Sequence, residues 1–194
     1  TLDRSSAASD VYKRQHLDTE LSDVGYEQAR AAARLLRDQG VVKIVASDLQ
    51  RARETARVVA ESLGLDFSTD PRLRETNLGQ WQGKSYAEVD AEFPGARAIW
   101  RHDPTWAPPE GESRVDEARR ARPVIDELMQ DFSGWDDGAV LIVAHGGAIS
   151  ALTCHLLGLD HGQYGILSGL KNTHWSQLTA RPDFNPETPV TSLE

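Results

Sequence analysis

The chain has 194 residues, a hydrophobic fraction of 39%, 30 acidic against 21 basic residues and a net charge of −9. These values predict one soluble globular domain, for which the lone cysteine fits a reducing, cytoplasmic setting, and argue against nucleic acid or an anionic membrane as partner, because the net field repels both; a small anionic ligand held by a local arginine cluster remains compatible. No apolar run approaches the ~20 residues that a membrane helix needs. The single cysteine, Cys154, cannot form an internal disulfide and reads as a small core residue of a reduced protein.

Residues 1–15 (TLDRSSAASDVYKRQ) are small and polar, without alternation or an apolar run, and read as a tail foreign to the domain. The domain itself is expected over residues 16–180, with a Pro-rich tail over 181–194. Ser22 caps a helix that carries Ala29, Ala32, Ala33 and Leu36 on one face and stops at Gly40. A strand is expected at 41–46. Ser47 or Asp48 then caps a second helix, with Leu49, Ala52, Ala56, Val59 and Leu63 at three-four spacing and Gly64 as its stop. A short strand is read at 65–67 and a short helix at 85–93, closed by Pro94-Gly95. Residues 102–112 hold three prolines and a tryptophan and predict a loop. Ser113 and Asp116 start a helix reaching about residue 130, which Pro123 either kinks or delays. The clearest strand is 139–144, followed by a helix over 148–157; residues 173–179 alternate like an edge strand.

Strands alternating with helices predict an α/β fold: a three-layer α/β/α sandwich around a mostly parallel central sheet. Such a domain normally opens with a strand, and this one opens with a helix, so its first strand is expected to be missing or replaced.

Three places suggest chemistry. In Leu141-Ile142-Val143-Ala144-His145-Gly146-Gly147 an apolar strand stops at a histidine, and a helix opens behind it. The carboxyl edge of a parallel sheet is where α/β folds bind ligands, and a helix amino end there favours anions. The N–H of Gly146 or Ala148 is a candidate phosphate donor. Arg51 lies in the first turn of its helix, where the dipole disfavours a cation. An anion between it and the helix would explain its place, and so would an ion pair with Glu54 or Asp48. Glu75, if extended, shares a face with Leu73 opposite Arg72 and Arg74. That orientation fits a proton donor, and a surface pair with a flanking arginine fits the same residues. Cys154, His155, His161 and His174 match no zinc spacing.

Taken together, Ser47-x-x-x-Arg51-Ala52, Arg74-Glu75 with Gly79-x-Trp81-x-Gly83, Gly111-Glu112-Ser113 and Val143-Ala144-His145-Gly146-Gly147 resemble the histidine phosphatase superfamily, the phosphoglycerate mutase-like proteins, in order and spacing. Leu17-Asp18-Thr19-Glu20-Leu21-Ser22, Pro94-Gly95-Ala96-Arg97, Asp103-Pro104-Thr105-Trp106-Ala107-Pro108 and Asn172-Thr173-His174-Trp175 are similar to the branch acting on glucosyl-3-phosphoglycerate. The resemblance implies hydrolysis of a small phosphomonoester through a phosphohistidine, with no metal and no cofactor. Arg51 would clamp the phosphate, Glu75 would protonate the leaving alkoxide, and His145 and Gly146 would hold the transferring group. His16 would stand near the pocket mouth. Trp106, with Trp100 and Trp175, would stack on a sugar, although ordinary aromatic packing explains the same rings.

The sequence departs from this pattern at one point: the nucleophilic Arg-His-Gly motif is absent. The chain is therefore expected to be a fragment that has lost its first strand, inactive as written. A phosphoglycerate mutase and a non-catalytic phosphate-binding protein are the alternative readings, and a homodimer is neither required nor excluded by the sequence.

Overall fold

A computed structural model describes residues 18–180; the expectations for the tails at 1–15 and 181–194, and for His16, fall outside it. The chain runs through α1 (Asp23–Leu36), β1 (Val41–Ala46), α2 (Gln50–Leu63), β2 (Phe67–Thr69), α3 (Tyr86–Glu92), α4 (Ala96–His102), α5 (Arg114–Asp131), β3 (Ala139–Val143) and α6 (Gly146–Leu156). β1 is the middle strand, paired in parallel with β2 on one side and β3 on the other.

Side-chain alternation along the strands sorts the layers. Ile44 and Ala46 of β1, with Leu141 and Val143 of β3, meet Ala33, Leu36, Ala56, Val59 and Ala60 of α1 and α2. Val45, Val140 and Ile142 point the other way, onto Ala121, Val124 and Leu128 of α5 and Leu152 of α6. Sheets with helices on both faces bury both sides of their strands, which is why β3 reads as a continuous apolar run and β1 as one broken only by Lys43. The three-layer expectation therefore holds for the described residues.

The helix starts follow local chemistry. The Ser22 hydroxyl accepts the Gly25 N–H at 3.2 Å, and Ser113 with Asp116 forms a reciprocal capping box on α5. Pro123 does not delay α5, which begins at Arg114 and continues through that position. Pro123 and Arg119 both lie exposed, so the helical hydrogen bond that the proline removes belongs to the solvent side of α5.

Four expectations are corrected, the first being the short strand, which runs over Phe67–Thr69 rather than 65–67. Neither Ser47 nor Asp48 is the N-cap of α2; Leu49 takes that position, and Asp18 Oδ1 accepts the Gln50 N–H at 2.5 Å instead. Residues 96–102, left unassigned between Pro94-Gly95 and the loop, form α4. Residues 173–179 are not a strand: the His174 N–H turns back to the Lys171 carbonyl at 3.1 Å, Thr173 has φ 56°, and the residues after it are exposed. Alternation without a ladder partner or a buried face does not hold a strand together.

Candidate active site

Parallel pairing of β1 with β3 sets Ala46 beside Val143, and the Ser47 N–H donates to the Val143 carbonyl at 2.8 Å. The two chains leave the sheet together at its carboxyl edge. As a result Ser47 and His145, 98 positions apart, meet with 2.9 Å between Ser47 Oγ and His145 Nε2, both buried. His145 is the N-cap of α6, which begins at Gly146, two residues before the expected start at 148, and the His145 imidazole stands at the helix amino end.

Glu75 comes to the same place from the segment after β2. Its carboxylate accepts the N–H groups of Gly147 at 3.2 Å, Ala148 at 3.0 Å and its neighbour Thr76 at 3.1 Å. The anion seated on the start of α6 is thus the protein's own glutamate, favoured by the free N–H groups and the helix dipole. The N–H of Ala148, a candidate phosphate donor from sequence, serves Glu75. Gly147 leaves room for this seat: a Cβ there would lie 2.5 Å from Glu75 Oε1. Arg72 and Arg74 do not take Glu75. Arg74 makes a two-pronged pair with Asp48 at 2.7 and 2.6 Å, and Arg72 pairs with Asp70 and Glu127.

Arg51 lies half-buried in the first turn of α2. Burial lowers its pKa, and the opposing charges of Glu75 and Asp18 act to raise it, which places both carboxylates in its field. The partners that an ordinary surface pair would have used are engaged elsewhere: Asp48 by Arg74, and Glu54 by Arg57 and Tyr26. Arg51, Glu75 and His145 are therefore brought to one edge by α2, the post-β2 segment and the β3–α6 turn.

α5 fixes the segment that carries Glu75. Arg120 donates to the carbonyls of Arg72 at 2.7 Å and Arg74 at 3.1 Å, and is itself paired with Glu112 at 2.6 Å. Glu112 also accepts the Asn77 N–H at 2.8 Å. The next crossing is backbone on backbone, where Gly79, at φ +49°, would put a Cβ 2.1 Å from the Pro109 carbonyl oxygen. The glycines of Gly79-x-Trp81 and Gly111-Glu112-Ser113 are thus structural joints.

Trp106 packs on Trp81 with ring centroids 5.6 Å apart, and Trp100 meets Trp81 edge-on at 6.1 Å. Both rings belong to a cluster with Leu78, Val89 and Phe93, whereas Trp175 is exposed. Gly146 packs its Cα against Leu170, whose N–H reaches the Gly146 carbonyl at 3.3 Å. Sequence reasoning missed Ser47 as the partner of His145, and Asp18. It also missed Glu117, a fully buried carboxyl on α5 to which the Thr76 hydroxyl donates at 2.8 Å. Glu117 was readable: it lies 4, 7 and 11 positions before Ala121, Val124 and Leu128, on the buried stripe of α5. Among the described residues, no group of three or more His, Cys, Asp or Glu side chains is placed to hold a metal. A cavity of about 250 Å³ between β1, β2 and α5, lined by Lys43, Asp70, Glu127 and Phe132, includes none of the three site residues.

The model of the histidine phosphatase superfamily (branch 1) matches residues 7–186. A glucosyl-3-phosphoglycerate phosphatase of Mycolicibacterium vanbaalenii is 49% identical over 176 residues, covering 88% of this chain and 78% of that protein. The structure of mycobacterial glucosyl-3-phosphoglycerate phosphatase with inorganic phosphate superposes with a TM-score of 0.80 at 47% identity, over 84% of this chain and 81% of the other. A probable phosphoglycerate mutase of Yersinia pestis is 35% identical over 143 residues, covering 73% of this chain and 65% of that protein.

Proposed function

Because the chain belongs to the histidine phosphatase superfamily (branch 1), as a phosphomonoester hydrolase of that family, we propose that its site takes glucosyl-3-phosphoglycerate or a closely related sugar or glycerate phosphate. The observation that carries this reading is the arrival of Arg51, Glu75 and His145 at one sheet edge from three separate elements.

Phosphoryl transfer spreads negative charge over the equatorial oxygens, and fixed cations and donors supply most of its catalysis. In this reading Arg51 clamps the phosphate, and its partial burial strengthens that attraction by excluding water. His145, oriented by Ser47, holds a second oxygen. Glu75, a carboxylate in the free site, takes up a proton once the like charge of the bound phosphate stands beside it, and passes that proton to the leaving alkoxide. The family's nucleophile is the histidine of an Arg-His-Gly tip on the first strand, which becomes phosphorylated and is then hydrolysed by water. No such tripeptide occurs in the 194 residues, so turnover requires that strand. The net charge of −9 disfavours nucleic acid, and a small anionic substrate is compatible with it because a local cation such as Arg51 outweighs the global field.

The test compares this chain with the same chain carrying an apolar strand ending in Arg-His-Gly ahead of Leu17. Phosphate release from glucosyl-3-phosphoglycerate, 3-phosphoglycerate and p-nitrophenyl phosphate is measured for both. We expect turnover only with the strand, and fastest on the glucosylated substrate. Mutase activity on 3-phosphoglycerate without net phosphate release would overturn the reading.

A further inference from the structure

Glu117 is the one fully buried carboxyl among the described residues. Its Oε2 accepts the Thr76 hydroxyl at 2.8 Å, and its Oε1 has no hydrogen-bond partner among those residues. No described cation forms an ion pair with it: Arg120 is bonded to Glu112 and to the carbonyls of Arg72 and Arg74, and Arg114 to the carbonyls of Trp100 and Arg101. A dry carboxyl in that position is retained as the neutral acid, because an ionised one would lack the donors needed to replace water. Thr76 joins this group to the site. Its hydroxyl holds Glu117, and its N–H holds Glu75 Oε1 at 3.1 Å. One residue therefore ties a buried acid on α5 to the carboxylate seated on α6.

We propose that Glu117 is a positioning residue: as a neutral acid bonded to Thr76, it keeps the Glu75 carboxylate seated on the N–H groups of Gly147 and Ala148. The proposal rests on the reading of Glu75 as the acid of a phosphatase, and it gives the two carboxyls a single negative charge between them. Ionising Glu117 would put a second buried negative charge behind Glu75 and loosen that seat.

The electrostatics agree in sign. Burial, and then the like charge of Glu75, push the Glu117 carboxyl well above the usual carboxylate range; the Thr76 bond acts in the opposite direction. Glu112 adds further like charge, and Arg120 and Arg114 are the facing cations. On α6, which packs against α5, Cys154 faces Arg114, and His155 faces Arg119, Arg122 and Asp126. Since the folded value lies above the unfolded one, Glu117's contribution to stability is complete below about pH 4.3, the ordinary glutamate value, and is lost as pH rises through the folded value.

The experiment is a carboxyl carbon-13 NMR titration of the glutamate-labelled 194-residue chain, with the amide signals of Gly147 and Ala148 followed in parallel. Glu117 is assigned from the signal missing in Glu117→Gln. We expect that signal to be protonated at neutral pH, and the two amide signals to move at its titration midpoint in the parent chain but not in Glu117→Gln. The midpoint should fall in Glu75→Gln, as expected when one of two interacting carboxyls loses its charge, and rise in Thr76→Val. Should Glu117→Gln fail to fold, Glu75→Gln and Thr76→Val carry the test. A Glu117 signal titrating with the exposed glutamates, an unmoved midpoint in Glu75→Gln, or amides indifferent to the titration would each overturn the proposal. None of these readouts needs turnover, so an inactive chain or a different substrate would count against the phosphatase reading alone.

Discussion

The strand-end site and the aromatic cluster around Trp81 are held together by different forces. At the strand ends, polar contacts join residues far apart in the chain: Ser47 with His145, Glu75 with Gly147 and Ala148, and Glu117 with Thr76. In the cluster, rings from residues 81–106 bury apolar surface against one another, centred on a fully buried Trp81. Hydrogen bonds are directional and contribute little net stability each, so the site is exact in geometry and modest in energy. Ring packing is the reverse, large in buried area and loose in direction. Substitutions in the cluster should therefore show in folding, and substitutions at the strand ends in chemistry.

The largest effect is expected at the cluster's centre. Trp81→Ala should destabilise the chain by about 3–5 kcal/mol through the cavity it leaves, read by urea unfolding; a loss under about 1 kcal/mol would break the contrast. At the site, His145→Ala in the strand-restored protein should raise the barrier by about 2–4 kcal/mol, the cost of losing one anion-stabilising donor, with a much smaller change in unfolding midpoint. Unchanged kcat/KM would remove His145 from its assigned role.

Gly147→Ala sharpens the same division. A Cβ there would lie 2.5 Å from Glu75 Oε1, the far end of a flexible side chain. The fold should absorb the change while the carboxylate moves. A displacement of about 1 Å at a reacting group costs ~100-fold in rate, measured on an alkyl phosphate, whose leaving group needs a proton. A parallel loss of stability would show the glycine to be structural instead.

The smallest effect belongs to the half-buried pair of Asp48 and Arg74 beside the site. The Arg74 guanidinium holds the Asp48 carboxyl below its ordinary range. Its stabilisation is thus present above the unfolded aspartate value and lost as pH falls through the folded one. For a pair this open to solvent it is worth under about 1 kcal/mol. Asp48→Asn should flatten that part of the acid limb in a pH series of unfolding curves, and an unaltered limb would assign the loss to other carboxylates.

Much of this was legible in the sequence for a physical reason. β1, α1 and the start of α5 announce themselves through local pattern and capping chemistry, which neighbouring residues decide. His145, Glu75 and Arg51 stood out because each sits where a strand or helix end points a side chain at one edge. What stayed hidden depends on distant partners. Nothing near Ser47 says that its hydroxyl meets a histidine 98 positions away, nor that Asp18 rather than Ser47 or Asp48 serves the first turn of α2. The alternation at 173–179 misled for the same reason: a period of two describes a strand only where a neighbouring strand takes its hydrogen bonds.

The claim on which the rest depends is that Arg51, Glu75 and His145 border a single phosphate-sized space. Orthovanadate soaked into crystals of the strand-restored protein tests it most directly. The vanadate oxygens should lie within hydrogen-bond distance of the Arg51 guanidinium and the His145 imidazole, with the Glu75 carboxyl next to the oxygen opposite the nucleophile. Vanadate bound away from these groups, or touching only one of the three, would contradict it.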